Sequence, residues 1–339
     1  MKKYLRAIIC SFAAVSFTAS NASSETVLSL NSWLPPSHPY VIDFIKPVMA
    51  DIEAVTAGRV TVEFLPAPLA HPSDTFELVR NGIVDISYAV QGYSPRRFKT
   101  AVLAEMPFLS DDAVISSVAF QRVHASMLAD AGEYDGVKVM AVHTHGPGHI
   151  FSSRDIASVD DLEGQKLRTG SIVAQDLAKS FGAVPVEGPA SKSYELLSQR
   201  VVDGIMFPSE SVEFFRLLTH LSTAFLAEGG MYNTAFMVIM NEKTWNQISQ
   251  EDRALIEPLL GEALAARAGK MWNTVDAAAN ETLGASIHMY RASADDVAAL
   301  RERFRPVVDA NIALASEAGV DGRAAYNMLL DEIQKLTTQ

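Results

Sequence analysis

Arg168 is the residue whose type and setting say most about chemistry. It ends the run Leu162-Glu163-Gly164-Gln165-Lys166-Leu167-Arg168, at the carboxyl end of a short predicted strand. Ser171 follows, placed to cap a helix. In open α/β sheets, ligands bind beyond the carboxyl ends of the strands. A guanidinium there presents a planar fork that matches a carboxylate through paired, charge-assisted hydrogen bonds. The same side chain on a surface would form only an ion pair of small energetic weight, and its position in the sequence leaves both roles open.

His143, His145 and His149 make a second cluster. On a strand the first two share a face, a spacing that suits a metal. Zinc needs three or four ligands, however, and no Cys, Asp or Glu lies within the cluster. We read these histidines as cleft wall, with His145 and His149 as candidate ligand contacts, and expect no metal and no cofactor. The chain has no G-x-S-x-G elbow, H-E-x-x-H pair, Walker loop or G-x-G-x-x-G turn. An enzyme would need a nucleophile, a base and an orienting group close together. The histidines come with no placed nucleophile, so the sequence predicts binding without turnover.

Further wall candidates follow predicted strands: Trp33 after the first, Gln91 and Tyr93 after the one ending at Val90, and Tyr232 and Asn233 at the start of a long apolar run. Phe207 ends another strand, before Pro208. Glu210 could bind a cation or cap the following helix, and we read it as a cap, because an acid at a helix start is favourable without any ligand.

The elements that must position these residues alternate between strand and helix patterns, as in α/β folds. Strands are predicted at 27–30, 60–64, 85–90, 137–143, 166–169, 205–207 and 231–240. Helices are predicted at about 38–57, 73–81, 171–182 and 191–201, from 249 to about 283 with a kink at Pro258, and from Ser293 onward. Ser158 and Asp161 form a capping box before one turn. The crossovers between units are structured, with no flexible linker.

Lys2, Lys3 and Arg6 precede an apolar run at 7–17 and the small residues Ser20-Asn21-Ala22. This is the pattern of a secretory signal peptide, residues 1–22, too short to span a bilayer. Cleavage there leaves a chain without cysteine, which excludes thiol catalysis and Cys-ligated metal. Removing those three basic residues from 28 leaves 25 against 40 acidic ones, a net charge of −15. Such a surface repels nucleic acid and anionic lipid. An anion site must therefore be a local basic spot within a cleft.

Three ordered landmarks make the chain specific. The first is Asn81-Gly82-Ile83-Val84-Asp85-Ile86-Ser87, followed by Gly92-Tyr93-Ser94-Pro95-Arg96-Arg97-Phe98 and Glu105-Met106-Pro107-Phe108. The second is Asp160-Asp161-Leu162-Glu163-Gly164-Gln165-Lys166-Leu167-Arg168. The third is Val202-Asp203-Gly204-Ile205-Met206-Phe207-Pro208. With them, almost all of the chain after residue 22 resembles solute-binding proteins of tripartite ATP-independent periplasmic (TRAP) transporters, of the DctP type.

The resemblance implies a two-lobed α/β periplasmic fold, each lobe a sheet flanked by helices, joined by long crossover strands and a long helix. It implies a lobe of residues 23–146 plus about 231–272 and another of 147–230 plus about 273–339. It also implies Arg168 as the carboxylate anchor, a small organic acid as ligand, the small and large integral membrane subunits of a TRAP transporter as partners, and a monomer in the periplasm. A ligand-dependent sensor would need the same cleft. Two departures bear on the ligand. The second arginine of many relatives falls here at Gly148, and the asparagine of the third landmark is Phe207. Fewer polar partners and an aromatic face favour a monocarboxylate with an apolar or aromatic body, a 2-oxo or 2-hydroxy acid among them.

Overall fold

Short apolar runs separated by turn residues form two mixed sheets in the computed structural model, which describes residues 25–338. The predicted signal segment lies outside the described residues. The strands are β1 (Thr26–Asn31), β2 (Val60–Phe64), β3 (Ile86–Val90), β4 (Val137–Thr144), β5 (His149–Ser152), β6 (Lys166–Thr169), β7 (Val184–Glu187), β8 (Gly204–Phe207), β9 (Thr223–Leu226), β10 (Ala235–Asn241) and β11 (His288–Arg291). The first sheet has the order β2-β1-β3-β10-β4 and the second β11-β9-β5-β8-β6-β7.

In the first sheet β1 runs parallel to β2 and β3, while β10 runs antiparallel to both β3 and β4. Every residue of β10 is buried. This is why it reads as a continuous apolar run instead of an alternating one. Its ladder begins at Ala235, not at Met231 as the apolar run suggested. The four residues before it cross between the sheets, and Tyr232 makes only an isolated bridge to Gly148.

In the second sheet β6 lies parallel to β7 and β8, with β5 antiparallel to β8. The chain passes from the first sheet to the second through Gly146-Pro147-Gly148, between β4 and β5. A third connection is the helix Glu262–Ser286, which packs on the helix Ala113–Val123 and also on the short helix Ser209–Phe214.

Local signals fall where the residues place them. β6 spans the predicted strand, and Ser158 and Asp161 form their capping box around one 3₁₀ turn. Ser171 accepts from the Ala174 amide at the start of the helix Ile172–Ser180. Ser293 and Asp296 box the start of Ala294–Ser316. One expectation fails. The single helix kinked at Pro258 is two helices, Gln250–Ile256 and Glu262–Ser286. Leu260 is extended and Gly261 has φ +59°, so the chain turns fully between them. That is a conformation glycine adopts at little cost.

Candidate ligand-binding site

Residues from both sheets and from the long helix enclose a cavity with about 480 Å³ of empty space. Arg168 enters it from β6, held between β7 and β8. Its side chain is 2 % exposed. Nε donates to the Gly188 carbonyl at 2.9 Å, and the guanidinium carbon stands 4.5 Å from the centre of the Phe207 ring. The outer nitrogens reach the Met206 carbonyl and the Tyr93 hydroxyl only at 3.5 Å, beyond good hydrogen-bond range. None of these partners is anionic, so the cation has no counter-charge among the described residues. A buried, unpaired charge is costly, and an incoming anion would relieve that cost.

Tyr93 supplies a second polar contact from the first sheet's side. Its hydroxyl oxygen accepts from the Ala190 amide at 2.9 Å, a contact across the cleft. With that oxygen used as an acceptor, its own hydrogen is left to donate. The Trp33 ring packs edge-on against Tyr93 at 6.0 Å and is fixed by Nε1 donating to the Tyr88 carbonyl at 3.0 Å. Phe207 stacks on Phe215 with centroids 6.0 Å apart. Phe236 and Trp272 continue the aromatic wall.

Gly148, where the resemblance puts the second arginine of many relatives, has no room for a side chain. A Cβ there would lie 2.2 Å from Cε1 of Tyr232, so the tyrosine ring fills the space into which any side chain would project. Tyr232 is 2 % exposed, lines the cavity, and meets the His145 ring edge-on at 5.7 Å. Burial pushes its phenol above the ordinary value.

The three histidines do not converge. His143 lies between Tyr40, whose hydroxyl is 2.8 Å from Nε2, and the stacked ring of Phe236. His145 lines the cavity, with Nδ1 against the Gly146 carbonyl. His149 sits on β5 opposite Phe207 and is not part of the cavity wall. Burial pushes all three down, His143 to about 4 and the other two to about 3. Among the described residues no group of three or more His, Cys, Asp or Glu is arranged to hold a metal.

Of the residues proposed from sequence, Arg168, Phe207, Trp33, Tyr93, His145 and Tyr232 meet at the cavity. Gln91 and Asn233 do not. Gln91 donates to the Phe236 carbonyl and accepts from Tyr134, so its amide holds the first sheet together. Asn233 Oδ1 accepts from the Thr234 amide. The wall also includes His38, Ser211, Thr234 and Trp272, which no local pattern distinguished.

Glu210 also differs from expectation. Its backbone N–H donates to Asp276 Oδ1 at 2.8 Å, so Asp276 from the long helix caps Ser209–Phe214. The Glu210 side chain is buried, with Oε1 3.6 Å from His38 Nε2. Burial, and then the charge of Asp276, push Glu210 up to about 8, while burial pushes His38 down to about 3. Both shifts favour the neutral forms and so work against an ion pair at this contact.

Known proteins are similar to this chain in sequence and architecture. Residues 30–313 match the DctP family, described as bacterial extracellular solute-binding protein, family 7. The chain is 31 % identical over 311 residues, 91 % of its length and 92 % of the relative's, to the outer membrane transporter protein TsaT of Comamonas testosteroni. A TRAP periplasmic solute-binding protein of Bordetella bronchiseptica, solved with (R)- and (S)-mandelate, is 37 % identical and superposes with a TM-score of 0.88, covering 92 % of this chain and 99 % of that one. A marine metagenome TRAP solute-binding protein specific for aromatic acids, solved with 3-hydroxybenzoate, is 30 % identical with a TM-score of 0.86 over the same shares. By that match and these likenesses the chain belongs to the DctP family, as a solute-binding receptor of the TRAP type.

Proposed function

We propose that this protein captures a small aromatic monocarboxylate in the periplasm and, as a monomer, delivers it to the small and large membrane subunits of a TRAP transporter. The observation that carries the reading is Arg168: a buried guanidinium without a counter-charge, stacked on an aromatic wall. The carboxylate takes the outer guanidinium nitrogens and the Tyr93 hydroxyl. The ring lies against Phe207. With Tyr232 in the place of a second arginine, a second carboxylate would be desolvated and unpaired. The hydroxyls of a sugar acid would meet aromatic faces. The bound acids of the Bordetella and metagenome proteins support the same ligand class.

Trp33 and Trp272 line the cavity, so intrinsic fluorescence reports occupancy directly. Titration with benzoate, mandelate, succinate and galactonate should show the aromatic acids binding about a hundredfold tighter than the other two, the scale of one or two lost polar contacts. Tightest binding of succinate would overturn the ligand class. Uptake of the bound acid by vesicles carrying the membrane subunits tests delivery.

A further inference from the structure

Two cavity-lining side chains have polar atoms that the protein leaves unused. His145 is 4 % exposed and Trp272 is 3 % exposed. His145 Nε2 and Trp272 Nε1 are both buried without a hydrogen-bond partner. Buried polar atoms are nearly always paired, so a pair of orphans in one cavity wall calls for a ligand group. Two carboxyl oxygens nearby, Glu210 Oε1 and Asp276 Oδ2, are also unpartnered, but they belong to residues outside the wall.

The chemistry of the two atoms is fixed. His145 Nδ1 abuts the Gly146 carbonyl, which can only accept, so Nδ1 carries the ring proton. In the neutral imidazole Nε2 is then a bare lone pair, an acceptor. The indole Nε1–H of Trp272 is only a donor. The two rings stand edge to face, 6.1 Å between centroids. One group can satisfy both atoms: a hydroxyl, which donates to His145 and accepts from Trp272.

We propose that His145 and Trp272 form a hydroxyl-selective subsite, so that the preferred ligand is a hydroxylated aromatic acid. This rests on the function proposed above and adds a rule of discrimination. An unsubstituted acid leaves both atoms orphaned. A 2-oxo acid satisfies Trp272 but turns a lone pair toward the lone pair of His145. Burial pushes His145 down to about 3, so the acceptor persists across the physiological range.

The test uses matched pairs titrated into the intact protein: mandelate against phenylacetate and phenylglyoxylate, and 3-hydroxybenzoate against benzoate. At least one hydroxylated acid should bind about tenfold or more tighter than its partner. The pair that shows the ratio tells whether the hydroxyl sits on the α-carbon or on the ring. His145→Phe keeps a ring and removes the acceptor, and Trp272→Phe removes the donor. Each should bring the ratio toward one, whatever it does to the affinity for the unsubstituted acid. Equal affinities within every pair in the wild type would overturn the subsite and leave the Arg168 site standing. So would equal losses for both members of a pair in His145→Phe. The wild-type ratio needs no variant to fold. If no aromatic acid binds, the proposed function fails and the subsite falls with it.

Discussion

Gly148→Ala is the smallest change that probes how this cleft is built. The new Cβ would sit 2.2, 2.6 and 2.7 Å from Cε1, Cδ1 and Cζ of Tyr232. Carbon atoms rest against each other at about 3.5–4.0 Å, so the ring would have to move by more than an ångström. It has little room to do so. The Tyr232 carbonyl accepts from the Gly148 amide at 2.9 Å, the Met231 amide is bound to the Gly148 carbonyl at 2.8 Å, and His145 packs edge-on against the ring. Overpacking of this kind costs about 1–3 kcal/mol, and in chains of 150–250 residues each kcal/mol shifts Tm by about 2–4 °C. Gly148 has no positive φ, so backbone strain contributes nothing, and Ala would otherwise be neutral or slightly stabilising. A double-mutant cycle with Tyr232→Ala, read by chemical denaturation and by mandelate titration, isolates the clash. Gly148→Ala should lower stability and affinity in the wild-type background, and neither once the ring is gone, giving a coupling energy of about 1–3 kcal/mol. A loss of equal size in both backgrounds would show that Tyr232 is not what occupies the missing arginine's place.

Other perturbations separate the two ends of the ligand and the ionisation of the cleft. Arg168→Lys keeps the charge but not the fork, and should weaken benzoate binding clearly in calorimetry. Arg168→Ala should cost more, about 3 kcal/mol, because the carboxylate loses its charged partner. Phe207→Asn should weaken an aromatic acid by about 1–3 kcal/mol and a small aliphatic acid much less; equal losses would make Phe207 packing only. Stability should pass through a maximum near pH 6.5. His38, His124, His143, His145 and His149 are held neutral, at about 3 to 4 against an ordinary 6.5. Below pH 6.5 the unfolded chain binds more protons at these five, so stability falls as pH falls. Glu105 and Asp276 are pushed up to about 7 and Glu210 to about 8. Here the folded state holds the extra protons, so their contribution is present below the ordinary carboxylate range and lost as pH rises through 7–8. Glu210→Gln should flatten the decline above pH 6.5 in thermal scans, and an unchanged slope would remove Glu210 from this account.

The alternation of strand and helix was legible in sequence because it rests on local rules, whereas the two-lobed arrangement and a ligand role for Arg168 came from the resemblance of the three landmarks. Strand and helix patterns, the capping boxes at Ser158 and Ser293, and the Ser171 cap are set by neighbours a few residues away. Arg168 stood out because an arginine at a strand end before a capped helix is a local pattern too. Elements without such a signal stayed hidden. The helix Ala113–Val123 buries Ser116 and Ser117 together with Val118, Ala119 and Phe120, so it shows no clean apolar stripe. The four-residue strands β5, β7, β9 and β11 also stayed hidden, although β6 and β8 are no longer than these. What only the tertiary structure decided is which residues line the cavity. Gln91 and Tyr93 are two positions apart, yet one ties the first sheet together and the other reaches across to Ala190. Trp272 joins Arg168 from more than a hundred residues away, and Asp276 takes the capping role expected of Glu210. These pairings depend on how the sheets and the long helix pack. No periodicity along one segment encodes a contact whose other half lies in a different lobe.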